Sequence, residues 1–279
     1  MDANPIIRTL RHEDYDDILK ISKEIWDGED YLPRIFHHWV DSPGLFLGIQ
    51  DPLSHTVIAV AHVALLPDGS AWLEGLRVRT DFRGQGLSRK IMQVQMDYAL
   101  DKLRNGTIAR IASTTFIENE TSQHLSLSSG FKLKNSYLIL TWNPKDSSID
   151  SLRIEPWEPD WEEIRSLPYF QETDDHIIQF FMVQKISQAW WEQSKASFQL
   201  FKVNGARGWL DQGHEPHCVV LDPSKQSILD WLQFASSQFG NDASTIIFPN
   251  PSRIEELKTT NIRPWSDWTP DCLYFVYEP

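Results

Sequence analysis

The chain has 279 residues, 41% of them hydrophobic, and a formal net charge of −13, which allows two domains with separate cores and argues against nucleic-acid binding, since so negative a surface repels phosphate. Its two cysteines, Cys218 and Cys272, have no Cys-x-x-Cys spacing, so neither a disulfide framework nor structural zinc is indicated. No run approaches the ~20 apolar residues of a membrane span, and the first residues lack a basic and apolar leader, so the expectation is a soluble, intracellular, cytoplasmic protein.

In chain order, Ile6–Arg11 reads as a strand and His12–Trp26 as a helix with Ile18, Leu19, Ile21 and Ile25 along one side. Asp27-Gly28-Glu29-Asp30 interrupts it, and Pro33 suits the first turn of a second helix, Arg34–Val40. Leu45–Ile49 and Thr56–Leu66 read as strands, and Pro67-Asp68-Gly69 turns into a third, Ala71–Arg79. Regular alternation along that strand places Trp72, Glu74, Leu76 and Val78 on one face. A helix to about Leu103, a strand Thr107–Thr115, a helix Thr121–Ser129 and a strand Phe131–Trp142 follow.

Between the third strand and its helix lies Phe82-Arg83-Gly84-Gln85-Gly86-Leu87-Ser88. A glycine loop opening straight into a helix leaves several amides unpaired, at the positive end of the helix dipole. Such a loop suits a phosphate or pyrophosphate, with Arg83 adding charge. The plainer reading of the same residues is a sharp strand-to-helix turn. Neither Gly-x-x-x-x-Gly-Lys-Ser/Thr nor Gly-x-Gly-x-x-Gly is present.

Asn143–Ser148 is polar and marked by proline, and is the expected boundary between domains at 1–145 and 146–279. The first carries 16 Lys/Arg against 18 Asp/Glu, the second 10 against 21, so most of the excess negative charge lies beyond the glycine loop's domain. Eight of the 12 tryptophans lie in the second part. There Asp175–Gln193 and Lys225–Phe239 read as helices, and Phe198–Val203, His217–Leu221, Thr245–Phe248 and Leu273–Tyr277 as strands. The residues after Leu221, Asp222-Pro223-Ser224, form no glycine loop.

The stretch Trp72–Phe131 resembles the GNAT superfamily of CoA-dependent N-acyltransferases. Leu76-Arg77-Val78 followed by Arg83-Gly84-Gln85-Gly86-Leu87-Ser88 matches that family's Arg/Gln-x-x-Gly-x-Gly/Ala signature, with Ser88 at the last small position. Asn119 begins a second signature, with Ser122 where Ala is usual and Gly130-Phe131 at the family's offsets. The resemblance implies an α/β (α+β) GNAT fold with a mixed, mostly antiparallel sheet, and the second part echoes it as a degenerate GNAT-like domain. It also implies acetyl-CoA as cosubstrate, bound by Leu76, Val78, Arg83, Gly84, Gln85, Gly86, Leu87, Ser88 and Asn119, and no metal.

Acyl transfer to an amine needs an acceptor for the ammonium proton. Glu74 is the candidate, and Leu-Glu-Gly-Leu-x-Val resembles the strand of several small-molecule acetyltransferases; the plainer reading pairs Glu74 with Arg77 or Arg79. Ser126 stands where many relatives have a Tyr that protonates the departing thiolate. Asp30-Tyr31-Leu32-Pro33, with Trp39 behind it, and Trp72–Val78 are similar to the vertebrate histidine N-acetyltransferase group. By that likeness Asp30, Tyr31 and Trp72 would line a pocket for a small-molecule amine such as histidine. A protein lysine or N-terminal acetyltransferase and a non-catalytic acyl-CoA-binding module stay open as alternatives.

Overall fold

In the computed structural model, residues 5–142, 151–212, 216–240, 243–247 and 250–278 are described. Residues 1–4, the expected boundary Asn143–Ser148 and Phe248 lie outside them. The chain forms two compact units, one of Met1–Ser113, Leu125–Lys132 and Val276–Pro279, the other of Thr114–His124 and Leu133–Phe275.

The first unit runs β1 (Ile6–Thr9), α1 (Tyr15–Ser22), α2 (Leu32–Asp41), β2 (Gly44–Gln50), β3 (Val57–Leu65), β4 (Ser70–Val78) and α3 (Leu87–Arg104). It also takes the start of β5 (Arg110–Phe116), the end of α4 (Glu120–Ser128) and the first residues of β6 (Phe131–Trp142). Strands β1 to β4 pair antiparallel in sequence order, and β4 pairs parallel with β5 across α3. For such a strand-helix-strand connection a right-handed crossover is the general rule. One sheet face packs on α1 and α2 through Ile18, Ile21, Leu32, Phe36, Trp39, Phe46 and Val60. The other packs on α3 through Leu47, Ile49, Ala59, Ala61, Val78, Leu87 and Ile91. The apolar run Val57–Val63 is buried on both faces for this reason.

The β3–β4 ladder shifts register: Val60 faces Arg77 and His62 faces Glu74, so β4 carries one residue more than β3 between those pairs. This is a β-bulge, and Gly75 within it has φ +67°. The bulge overturns the regular alternation expected for this strand. Leu76 and Val78 join the α3 cluster, while Arg77 shares the helix-α1/α2 face with Glu74 and Trp72. Among the described residues the β4–β5 ladder holds Ser70–Trp72 against Arg110–Ala112, and from Leu73 onward that edge of β4 has no ladder partner among them.

The second unit contains β7 (Ile154–Pro156), α5 (Trp161–Arg165), α6 (Pro168–Glu172), β8 (His176–Gln179), β9 (Met182–Lys185), α7 (Gln188–Ser194) and β10 (Phe198–Val203). It continues through β11 (Ala206–Asp211), β12 (His217–Val220), α8 (Lys225–Phe239), β13 (Ser244–Ile247), α9 (Pro251–Lys258), β14 (Ile262–Pro264) and β15 (Cys272–Tyr277). Strands β7, β10, β11 and β12 pair antiparallel in succession, and β12 pairs parallel with β13 across α8. This repeats the β1–β5 succession of the first unit. Trp190, Trp191, Trp209 and Trp231 are wholly buried, which accounts for the aromatic load of this part.

The expected helix Asp175–Gln193 is replaced by the β8–β9 hairpin and the short α7. Ile177, Ile178 and Val183 are β-branched and buried in it, and Phe180 turns at φ +52°. The sequence reading also passed over β11, although Asn204-Gly205, at φ +49° and +85°, forms the two-residue turn that joins it to β10. Among the described residues, no helix is long and apolar enough to cross a membrane.

Candidate active site

The glycine loop leaves the end of β4 through a 3₁₀ turn at Thr80–Phe82. Gly84 and Gly86 have φ +78° and +74°, and a Cβ at either would meet nothing within 4 Å. Glycine is needed there for backbone conformation, and the space beside it is open. Gly86 caps α3, whose ladder begins with the Lys90 N–H on the Gly86 carbonyl. The amides of Leu87, Ser88 and Arg89 therefore precede the ladder, and no acidic residue occupies the first turn. Leu87 anchors the helix start in the α3 cluster beside Val78 and Leu76, while Arg83, Gly84, Gln85 and Gly86 are exposed. Arg83 Nε donates to the Val78 carbonyl at 3.2 Å, tying its guanidinium to the loop. An exposed, cationic, helix-opening nest of this kind suits a pyrophosphate.

On the opposite face of β4, Glu74 Oε1 lies 2.9 Å from His62 Nδ1. The Glu74 side chain is 19% exposed and His62 is 1% exposed. The pair is a direct cross-strand neighbour, the last in the regular register that runs from Leu65–Ala71 up to the bulge. Trp39 stacks on the His62 ring with centroids 4.5 Å apart, and Phe46 meets it edge-on. Gln95 of α3 donates to the His62 carbonyl at 2.8 Å, fixing the strand beneath the ring. The expectation of Arg77 or Arg79 as partner of Glu74 does not hold: Arg79 pairs with Asp81, and Arg77 with Asp30.

The Arg77–Asp30 pair is fully shielded on the acid side, with Nε and Nη2 each 3.3 Å from an Asp30 oxygen. Asp30 also accepts from the Leu32 amide at the start of α2. Arg77 lies over the Trp26 ring at 4.8 Å and the Tyr31 ring at 5.4 Å, both within cation–π range. Burial works against its charge, yet Tyr31 and Asp30 keep its pKa above the ordinary arginine value. Burial pushes the Tyr31 phenol up to about 12, with Arg77 opposing and Glu74 and Asp30 adding to the rise, so Tyr31 stays protonated at neutral pH. Trp26 and Asp27 both adopt positive φ, +46° and +55°, a backbone that β-carbon residues rarely hold and that concentrates at binding loops.

Asp30, Tyr31 and Glu74 are thus brought together, with Trp72 buried two residues before Glu74 on the same face. His62, Trp26 and Arg77 belong to the same cluster, and the sequence reading gave none of them a site role. A lone polar residue inside Val57–Leu65 was the available signal for His62. Asn119 accepts from the Ser122 amide at 3.0 Å and so caps α4. Ser126 is buried at 6% exposure, and no hydrogen bond joins it to Glu74 or His62 among the described residues.

In the second unit the corresponding strand-to-helix turn is closed. Asp222 takes three hydrogen bonds from Arg207, at 2.6 to 2.9 Å, and Ser224 caps α8 through the Ser227 amide. Burial raises the Asp222 carboxyl, but Arg207 more than offsets this and holds it below its ordinary value. A carboxylate and a side-chain cap stand where an anion would sit. Burial pushes the Cys218 thiol up to about 12 and raises Cys272 as well, so neither is a ready thiolate. No group of three or more His, Cys, Asp or Glu among the described residues could hold a metal.

Histidine N-acetyltransferase of Oreochromis niloticus is 34% identical over 82 residues, 29% of this chain. That match spans 24% of the relative, so the chain covers about a quarter of its length. A crystal structure from Pyrococcus horikoshii aligns over 99% of this chain and 89% of its own, with TM-score 0.65 and 12% identity. A GCN5-related N-acetyltransferase from Sphaerobacter thermophilus aligns over 98% and 95%, with TM-score 0.60 and 12% identity. Both likenesses are of fold. Residues 8–131 match the Acetyltransferase (GNAT) family profile. Through that segment, a little under half of the chain, the protein is similar to the acetyltransferase (GNAT) family.

Proposed function

We propose that the protein transfers an acetyl group from acetyl-CoA to the primary amine of a small molecule. The observation that carries this reading is Glu74: a partly exposed carboxylate on β4, directly ahead of an open, cationic glycine loop. The pyrophosphate takes the amides of residues 84–89 with Arg83, and the pantetheine chain follows the unpartnered β4 edge by Leu76 and Val78. The amine nitrogen attacks the thioester carbonyl, the C–S bond breaks, and CoA leaves as thiolate. Glu74 Oε2, which has no partner among the described residues, accepts the amine proton, directly or through water. Ser126 is the candidate proton donor to the thiolate.

Transfer is direct, without an acyl-enzyme. The raised thiols of Cys218 and Cys272 support this, because neither offers an activated nucleophile. Trp72 and Tyr31 line the acceptor side, and Asp30 acts by holding Arg77. The name of the Oreochromis niloticus relative favours histidine as acceptor. Acetyl-CoA consumption over amino acids, polyamines, aminoglycosides and peptides tests the reading. Turnover with a small amine supports it; turnover confined to peptides favours a protein acetyltransferase, and CoA binding without turnover a non-catalytic module.

A further inference from the structure

We propose that His62 is a fixed positioning residue for Glu74: a neutral imidazole that donates from Nδ1 to Oε1, turns Oε2 toward the acceptor amine, and takes no part in carrying the proton. The inference rests on Glu74 as proton acceptor and adds the group that orients it.

The geometry sets the tautomer. An ionised carboxylate only accepts hydrogen bonds, so the 2.9 Å contact requires a proton on Nδ1. The other nitrogen, Nε2, is buried and has no hydrogen-bond partner among the described residues. Trp39 covers the ring face and Phe46 its edge. A second proton on Nε2 would bury a charged N–H without an acceptor, which is far more costly than burying a bare lone pair. The ring is therefore held in one protonation state. It also leads nowhere: a proton arriving on Glu74 has no onward partner beyond His62 and must leave from Oε2 to solvent.

The ring cannot swing away. His62 is 1% exposed, its carbonyl is held by Gln95, and the unbroken ladder from Leu65–Ala71 to His62–Glu74 fixes which β4 residue stands opposite. The charged and titratable groups around the pair are Tyr31 and Asp30 from the segment before α2, and Arg77 from β4. Tyr31 is protonated at neutral pH, and Arg77 and Asp30 offset one another. His62 is thus the group whose removal changes the carboxylate's surroundings most directly.

Three measurements test this. His62→Phe keeps a ring against Trp39 and removes the donor; His62→Asn restores an N–H at the position of Nδ1. Losing a hydrogen bond to a charged group corresponds to about 10- to 100-fold in rate. We expect kcat to fall by that amount in His62→Phe, with acetyl-CoA affinity unchanged and the acid limb of kcat/KM moved to higher pH, because a carboxylate without its donor is easier to protonate. His62→Asn should recover a large part of both effects. The double variant His62→Phe/Glu74→Gln should lose no more than Glu74→Gln alone. In the wild-type enzyme, nitrogen NMR of labelled histidine, assigned against His62→Asn, should show His62 as the Nδ1–H tautomer. An Nε2-protonated His62 overturns the proposal, as does equal loss in both variants with the acid limb unmoved. If Glu74→Gln is itself active while His62 is Nδ1-protonated, the role of Glu74 fails instead.

Discussion

Gly75 is the residue at which backbone strain and side-chain crowding can be separated by experiment. Its φ is +67°, and a Cβ there would lie 2.4 Å from Trp39 Cζ3 and 2.7 Å from Cη2. The Trp39 ring has no room to yield, being stacked on His62 and edged by Phe46 and Tyr31. Gly75→Ala therefore carries two costs. A left-handed alanine costs about 1–2 kcal/mol. Overpacking against a wedged ring adds about 1–3 kcal/mol. At about 3 °C per kcal/mol for a chain of this size, the melting temperature should fall by about 6–15 °C. Gly84→Ala is the internal control: its φ is +78°, but its Cβ would meet nothing within 4 Å, so only the first cost applies, about 3–6 °C. Differential scanning fluorimetry of both variants reads the difference. If they melt together, close approach of Trp39 to the β4 backbone is not what selects glycine at 75.

Replacing Gly86 by Val should leave stability changed only by its backbone cost while weakening acetyl-CoA binding at least about tenfold, because the new side chain fills the space we assign to pyrophosphate; unchanged affinity in calorimetry removes the loop from the cofactor site. Glu74→Gln should lower kcat about 10²–10⁴-fold near neutral pH, with the deficit shrinking at high pH as free amine becomes available, and near-normal turnover across pH 6–9 would place the base elsewhere. Calorimetric titration should give one CoA per chain, since Asp222 and Ser224 occupy the second strand-to-helix turn; a stoichiometry of two contradicts this. The depressed Asp222 carboxyl contributes stability that is complete above its unfolded value of about 4 and is lost as pH falls through its lower folded value, so Asp222→Asn should melt with a flatter pH dependence than wild type between pH 2.5 and 5; parallel curves would mean the Arg207 pair adds nothing.

The glycine loop and the helix it opens were legible because their signal is local. Gly84, Gly86 and the apolar spacing of α3 lie within a few residues of one another. The cluster around Glu74 was legible in its acids and aromatics but not in its pairings. Asp30 and Arg77 are 47 residues apart and meet because the bulge turns Arg77 to the α1/α2 face, while His62 and Glu74 meet across the β3–β4 ladder. Gly75 was visible in the sequence, yet nothing local distinguishes a bulge glycine from a flat one, so alternation put Leu76 where Arg77 stands. The β8–β9 hairpin was misread because Ile178, Met182 and Ile186 also fit a helical period; the adjacent β-branched pair Ile177-Ile178 was the better guide.

The extra residue in β4 makes strand length itself carry information. A substitution in the exposed loop at 83–86 changes one side chain. Removing Gly75 would instead restore regular pairing and reverse every residue after it. Arg77 would then turn into the apolar layer beneath α3, and Leu76 would take its place beside Glu74. Asp30 would be left as a buried, uncompensated carboxylate, and Trp26 and Tyr31 would lose the cation they cover. Side-chain changes should therefore be tolerated more readily than single-residue insertions or deletions within Ser70–Val78.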